Sequence, residues 1–205
     1  MVVLYPGCVN KEYKRSISHK NRGMKLENLI NITNEYYLEN NIAVIYKKPT
    51  PILVCKVDYK KNLVTEGYYK TPSTLDYNGI YKGKYIDFDA KETLSKTSFP
   101  LANIHDHQLL HMKRVIEHGG ISFLIIKING LYYLLDGNII LNFIDNNDRK
   151  SIPYEFIKNN GLLIKEGINP ALDYIKVVDN YYFKEEVWKR QLIKIIKKII
   201  WRKLI

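Results

Sequence analysis

The sequence predicts a mixed α/β (α+β) fold, and three observations support this expectation. Of the 205 residues, 46% are hydrophobic and 12% aromatic, which is enough apolar material to bury a core. Two stretches carry apolar residues at helical spacing, and several short runs rich in branched residues, separated by turn signals, are typical of strands. The length suits one packed domain with extensions.

Charge indicates the kind of partner. The formal net charge is +11 and the isoelectric point is about 9.4. Such a surplus favours a polyanion, either nucleic acid or an anionic membrane surface. The alternative explanation is a low-GC genome, which enriches Lys, Asn, Ile and Tyr without any binding role.

Cysteine content and hydropathy indicate the compartment. Cys8 and Cys55 make neither a disulfide scaffold nor a zinc site, so we expect ordinary thiols of a reducing compartment. The first residues lack the pattern of a signal peptide, and no apolar run approaches the roughly 20 residues of a membrane span. We therefore expect a cytoplasmic protein.

The first half of the chain divides into an arm, a helix and a strand. Residues 1–20 are polar and basic and predict a flexible arm. Apolar residues recur at helical spacing over about 21–40, which predicts an amphipathic helix. The short branched run Ile42–Tyr46 predicts a buried strand.

An excursion from the domain follows at about 52–72. Its two β-like runs, Ile52–Tyr59 and Leu63–Lys70, flank a polar tip at Lys60 and Lys61. Prolines bound the excursion on both sides, and a proline cannot donate a hydrogen bond to a β-ladder.

The second half predicts alternating elements and a basic tail. We expect a helix from about Ile104 to His118, strand-like runs at Ile121–Ile128 and Leu131–Ile144, and short helices near 152–159 and 170–178. Residues 184–205 contain eight Lys and Arg against two Glu, with apolar residues at helical spacing. This pattern predicts a basic amphipathic helix.

A hairpin over residues 74–91 concentrates charged side chains. A two-residue turn at Lys82-Gly83, with glycine supplying a positive φ, pairs positions so that Asp76 lies opposite Asp89. Because side chains alternate between faces, Leu75, Tyr77, Phe88 and Ala90 form an apolar face. The polar face receives three opposed pairs: Thr74 and Lys91, Asp76 and Asp89, and Asn78 and Asp87.

Opposed carboxylates need a stabiliser. At the separation of cross-strand neighbours, two carboxylates repel by roughly 4 kcal/mol at an effective dielectric of 20. A bound Mg²⁺ or Mn²⁺ would relieve this repulsion, and Lys91 beside it suits metal-assisted phosphodiester hydrolysis. A solvated hairpin whose acids are surface charge is the competing interpretation. An Asn78-Gly79 turn would separate the acids, but it leaves residues 85–91 without a partner strand.

Motifs along most of the chain support a family resemblance. Asp76 and Asp89-Ala90-Lys91 have the form of the loose PD-(D/E)xK nuclease signature. The more specific motifs, in chain order, are Asn21-Arg22-Gly23-Met24 with Leu26-Glu27, Lys47-Lys48-Pro49-Thr50-Pro51, Pro72-Ser73-Thr74, Asp76-Tyr77-Asn78-Gly79, Tyr81-Lys82-Gly83-Lys84, Ala90-Lys91-Glu92-Thr93, Phe99-Pro100-Leu101, and His105 with His107-Gln108. From about Asn21 to Phe183 the sequence closely resembles the RecU family of Holliday junction resolvases.

The resemblance implies a restriction-endonuclease-like core, with a central mixed β-sheet flanked by helices, in a nuclease domain over 21–183. It also implies a homodimer, and a protruding β stalk at about 52–72 that enters the junction. Asp76, Asp89 and the carbonyl of Ala90 would bind Mg²⁺, with Mn²⁺ as an alternative. Lys91 would be the catalytic lysine, and Gln108 would face the active site.

Further residues are candidates for supporting roles. Glu27, Thr74 and Asp87 are candidates for orienting the metal ligands. The candidate DNA contacts are Arg22, Lys60, Lys61, Tyr68, Tyr69 and Lys70. His107 and His111 are four residues apart, but they lack a third clustered ligand, so packing or a phosphate contact is favoured over zinc.

Two departures from the family pattern matter. Relatives usually carry Glu where this chain has Asp89, and the shorter side chain could shift the position of the metal. The basic tail at 184–205 extends past the resemblance and has no role implied by it. DNA backbone contact or packing is favoured for this tail over membrane binding.

The sequence therefore predicts a metal-dependent resolvase that nicks four-way DNA junctions symmetrically, with recombinase or branch-migration proteins as candidate partners. Two alternatives stay open. One is a nuclease of the same superfamily acting on another DNA structure, and the other is a catalytically weak junction-binding or strand-annealing protein.

Overall fold

Helices and short strands alternate along the chain in the computed structural model, which describes residues 25–69 and 74–184. The helices are α1 (Leu26–Glu39), α2 (Asp106–Glu117), α3 (Gly137–Asp145), α4 (Tyr154–Asn160) and α5 (Tyr174–Tyr182). The strands are β1 (Val44–Lys47), β2 (Ile52–Asp58), β3 (Leu63–Tyr69), β4 (Tyr77–Tyr81), β5 (Lys84–Glu92), β6 (Ser98–Pro100), β7 (Ile121–Ile128), β8 (Leu131–Asp136), β9 (Ser151–Pro153) and β10 (Leu162–Ile164).

A six-stranded mixed sheet runs through the domain in the order β1-β4-β5-β7-β8-β10. Strands β5 and β7 pair in parallel, and the other neighbours pair antiparallel. Strands β2 and β3 form a separate ribbon, and β6 pairs with β9. The predicted central mixed sheet is confirmed.

Helices cover both faces of this sheet. On one face, Phe88 and Phe123 pack in a cluster with residues of α1 and α5, including Tyr174. On the other face, Leu124 packs in a cluster with residues of α2, α3 and α4, including Met112. Buried apolar side chains on both faces explain why the central strand β7 reads as an almost continuous hydrophobic run.

The predicted hairpin register is confirmed along β4 and β5. Tyr81 pairs with Lys84, and Tyr77 pairs with Phe88. Lys82 and Gly83 both have positive φ, at 48° and 76°, as a type I′ turn requires. Gly79 lies inside β4 and not in a turn. A Cβ atom there would lie 2.0 Å from the Val44 carbonyl oxygen of β1, so this close approach admits only glycine.

One face assignment was wrong. Leu75 does not share the apolar face of Tyr77 and Phe88, because it lies in the cluster of Met112 on the opposite side of the sheet. The β4–β5 ladder ends at Tyr77 and Phe88, so the alternation rule no longer applies to the residues before Tyr77.

Some predicted element bounds also need correction. The strand-like run 131–144 is strand β8 followed by helix α3, since the Asp136 side chain accepts hydrogen bonds from the backbone N–H groups of Asn138 and Ile139 and caps a helix. The helix expected near 170–178 begins only at Tyr174, capped by Asp173.

Smaller differences concern the ends of elements. Helix α1 begins at Leu26, α2 begins at Asp106, and β1 occupies Val44–Lys47 where the strand was expected at 42–46. Strand β7 has the predicted bounds, Ile121–Ile128.

Some expectations lie outside the described residues. They are the arm at 1–20, the start of the first helix including Arg22, the end of the excursion including Lys70, and nearly all of the tail at 184–205. Within the described ranges, no helix combines the length and apolar character needed to cross a bilayer.

Candidate active site

Asp89 lies at the centre of the candidate site. It sits on β5, is fully buried, and faces α2. Its carboxylate accepts hydrogen bonds from the Gln108 side-chain amide at 2.7 Å and from the Ala90 backbone N–H at 2.7 Å. The Lys91 ammonium lies 2.9 Å from the same carboxylate. Three predicted site residues, Gln108, Ala90 and Lys91, therefore contact the Asp89 carboxylate.

Asp76 is the residue immediately before strand β4. Its backbone carbonyl accepts a hydrogen bond of 2.7 Å from the Lys48 N–H, which continues the pairing of β1 beyond its last strand residue. The Asp76 carboxylate is close enough to Asp89 to affect its ionisation. Asp76 thus lies just beyond the end of the β4–β5 ladder, near enough to Asp89 for the two charges to interact.

Burial sets the ionisation of Asp89. Loss of solvation raises the pKa of this carboxyl above its ordinary value, and the neighbouring Asp76 carboxylate raises it further. The Lys91 ammonium and the Ala90 N–H lower the pKa but do not cancel the effect of burial. A buried carboxylate beside a second carboxylate favours binding of a cation.

Gln108 connects the start of α2 to both sides of the hairpin. Its side-chain N–H₂ donates to Asp89 and, at 3.0 Å, to the Thr74 carbonyl. Its side-chain oxygen accepts from the His105 backbone N–H at 3.1 Å, as part of a capping box. Gln108 is buried, so its orientation is determined by these partners.

Asp87 forms a second buried cluster two residues from Asp89. Its carboxylate accepts from Lys48 Nζ at 2.7 and 3.0 Å and from the Tyr85 hydroxyl at 2.7 Å. His111 Nε2 lies 3.0 Å from it. The contact of Lys48 with Asp87 was not predicted from the sequence. The motif that contains Lys48 does not show which side chain it pairs with, and this becomes clear only from the β1–β4 register.

Glu27 lies at the edge of this region. Its carboxylate pairs with Lys47 at 2.6 Å, and both side chains are about half exposed at 50% and 42%. Its backbone carbonyl accepts from the Tyr77 hydroxyl at 3.4 Å. Glu27 therefore makes no described contact with Asp89, and any effect on the two acids acts at a distance.

The sequence matches a known protein family over most of its length. The family model described as Recombination protein U matches residues 21–180. The chain belongs to the RecU family. A protein of Bacillus cereus (strain G9842) named Holliday junction resolvase RecU is 52% identical over 174 residues, covering 81% of this chain and 87% of the relative. A protein of the same name from Geobacillus sp. (strain WCH70) is 48% identical over 199 residues, covering 89% and 99%.

A solved structure was also matched. The Holliday junction resolvase Hjc of Archaeoglobus fulgidus aligns with a TM-score of 0.37 and 11% identity, covering 63% of this RecU-family chain and 90% of that protein.

The residues of this RecU-family site offer few ligands for a divalent ion. Among residues 25–69 and 74–184, no three His, Cys, Asp or Glu side chains gather closely enough to hold a metal. Both oxygens of Asp87 accept hydrogen bonds, and so do both oxygens of Asp89. Asp89 differs from Asp87 in having a second carboxylate, that of Asp76, within range of charge interaction. With the Ala90 carbonyl, these two acids offer only oxygen ligands. This small all-oxygen set fits Mg²⁺, which retains several waters and is bound through one or two carboxylates.

The ribbon of β2 and β3 carries the remaining described candidates. Lys60 and Lys61 lie in the turn between the strands, where their backbone N–H groups donate to Asp58. Tyr68 and Tyr69 lie at the other end of the ribbon and are 62% and 80% exposed. None of the ribbon's residues belongs to either core cluster.

Proposed function

We propose that this RecU-family protein is a Holliday junction resolvase, a divalent-metal-dependent endonuclease that nicks two opposed strands of a four-way DNA junction in homologous recombination and repair. The observation that carries the proposal is the contact of buried Asp89 with Lys91, with Asp76 close beside it, in a chain whose family relatives are named resolvases. The DNA-processing role also fits the cytoplasmic location that we expect from the sequence.

Each site residue has a distinct proposed task. Asp76, Asp89 and the Ala90 carbonyl would hold Mg²⁺, or Mn²⁺ in its place. Such an ion, when bound, supplies Lewis acidity and lowers the pKa of water. The Lys91 ammonium stabilises negative charge that develops on the phosphate. Gln108 holds the Asp89 carboxylate in one orientation through its hydrogen bond.

A homodimer is part of the proposal. Two symmetric nicks require two active sites, and an isologous dimer supplies them in a twofold arrangement. The β2–β3 ribbon is the proposed stalk, because its exposed Tyr68 and Tyr69 could stack on bases and its basic tip could contact phosphates. Recombinase or branch-migration proteins are the candidate partners beyond DNA, and a membrane is not among them.

The first experiment maps cleavage on an immobile four-way junction with Mg²⁺. We expect symmetric nicks from the wild-type protein and none from Asp89→Asn. Asp145→Asn, at an exposed acid at the end of α3, is the matched control and should cut like wild type. Equal activity of wild type and Asp89→Asn would overturn the enzyme proposal.

A second experiment separates junctions from other DNA substrates. Val54 pairs with Gly67, so replacing residues 55–66 by Asn-Gly closes the ribbon with a two-residue turn and removes its outer part. We expect loss of junction cutting with an unchanged melting temperature, because the removed residues contribute to neither core. Equal cutting of linear duplex and junction by the full chain would favour the alternative nuclease substrate.

A further inference from the structure

We infer that the ion pair of Lys48 with buried Asp87 positions Asp76 relative to Asp89 and thereby sets the affinity of the site for its divalent ion. The inference rests on the proposed function and adds to it two positioning residues that lie outside the nuclease signature.

The strand pairing of the sheet fixes the position of Asp89 but does not extend to Asp76. Strand β5 pairs with β7 from Ile86 to Glu92, so Asp89 lies within a continuous ladder. The β4–β5 ladder ends at Tyr77, and the β1–β4 ladder ends there as well. The buried Leu75 side chain anchors the segment from Thr74 to Asp76 in the core, and polar contacts on either side of Leu75 are needed to fix the place of Asp76 beside Asp89.

Lys48 supplies those contacts. Its backbone N–H donates to the Asp76 carbonyl at 2.7 Å, and its ammonium donates to the Thr74 hydroxyl at 2.9 Å. One residue therefore holds the segment at both ends. Gln108 holds the Thr74 carbonyl from the opposite side and also contacts Asp89.

Asp87 fixes Lys48 to the strand of Asp89. The Lys48 ammonium donates to both oxygens of the Asp87 carboxylate, which is fully buried, and the Lys48 side chain is only 16% exposed. His111 and Tyr85 hold the same carboxylate from α2 and from β5. Asp87 and Asp89 lie two residues apart on one face of β5, so this pair connects the place of Asp76 to the strand that carries its partner acid.

The sharpest test changes the contact at Thr74, because Thr74→Val removes the hydroxyl and keeps the shape of the side chain. We measure Mn²⁺ affinity by calorimetry and the Mg²⁺ dependence of junction cutting. We expect the affinity to fall by about 10–100-fold, as for other groups that orient metal ligands. Thr74→Ser, which keeps the hydroxyl, should retain wild-type affinity.

Lys48→Met tests the pair itself, with Lys82→Met as a control. Lys82 is an ion-paired lysine of similar exposure at the far end of the same hairpin, where it contacts Asp179. Loss of Mn²⁺ affinity in Lys48→Met but not in Lys82→Met supports the inference. If Lys48→Met does not fold, Asp87→Asn, which removes the charge that pairs with the Lys48 ammonium, tests the same pair by the same affinity measurement.

Failure of the inference differs from failure of the proposed function. Wild-type Mn²⁺ affinity and wild-type Mg²⁺ dependence in folded Thr74→Val would overturn the inference, whether or not junctions are cut. A wild-type protein that binds Mn²⁺ at Asp89 but cuts no junction would overturn the proposed function alone, and the affinities of the variants would still test the positioning role.

Discussion

The side-chain amide of Gln108 donates a hydrogen bond of 2.7 Å to the carboxylate of Asp89, and both residues are buried. Gln108 belongs to α2 and Asp89 to β5, so this bond connects the helix layer to the sheet at the candidate site. The same amide donates to the Thr74 carbonyl, next to the segment that carries Asp76. Gln108 thus contacts both sides of the proposed metal site.

Replacing Gln108 should therefore impair cutting. Gln108→Met keeps the length of the side chain but removes the donors to Asp89 and Thr74 and the acceptor of the capping box. We expect the cleavage rate on a four-way junction to fall by about 10–100-fold. Leu110→Ala, at a half-exposed position of the same helix, is the control and should cut normally. An unchanged rate in Gln108→Met would show that the bond does not orient Asp89.

The raised pKa of Asp89 predicts a pH-dependent stability. The unfolded carboxyl has a pKa of about 3.9, and burial raises the pKa of the folded one above it. Between the two values the folded state binds more protons, so this group's contribution to stability falls as pH rises through that window.

The matching measurement compares wild type with Asp89→Asn, which cannot titrate at this position. Melting temperatures are recorded without divalent ions from about pH 4 to about pH 8. We expect the melting temperature of wild type, relative to the variant, to decrease as pH rises. A difference that stays constant with pH would mean that Asp89 keeps an ordinary pKa.

Divalent ions should stabilise the folded protein. An ion that binds the folded state at 100 times its dissociation constant adds about 2.7 kcal/mol to the free energy of unfolding. We expect Mg²⁺ and Mn²⁺ to raise the melting temperature of wild type but not of Asp76→Asn or Asp89→Asn. Equal shifts in all three proteins would indicate that the ions bind elsewhere.

Loss of Lys48 should destabilise the fold far more than loss of a surface lysine. Lys48→Met leaves the Asp87 carboxylate buried without its cation, which should cost about 3–5 kcal/mol in the free energy of unfolding. Lys56→Met breaks a surface pair with Glu66, where the lysine side chain is 72% exposed, and should cost about 0–1 kcal/mol. Urea titrations measure both values, and similar losses would contradict the buried pairing.

The hairpin register and several helices and strands were determined by residues that are close together in the sequence. The turn at Lys82-Gly83 sets the hairpin register, because a two-residue loop with positive φ leaves one pairing for the strands on either side. That register brings Asp76 and Asp89 to the same end of the hairpin. Apolar periodicity predicted α1, and a run of apolar residues predicted β7, since both patterns depend on neighbours along the chain.

Only the tertiary structure decided which contacts the side chains around those acids make. Lys48, Asp87 and His111 lie on three separate parts of the chain and meet through the β1–β4 register and the packing of α2 on the sheet. Leu75 was assigned to the wrong face because the ladder ends just after it. Contacts between distant segments depend on how whole elements pack, and no local pattern of residues encodes that arrangement.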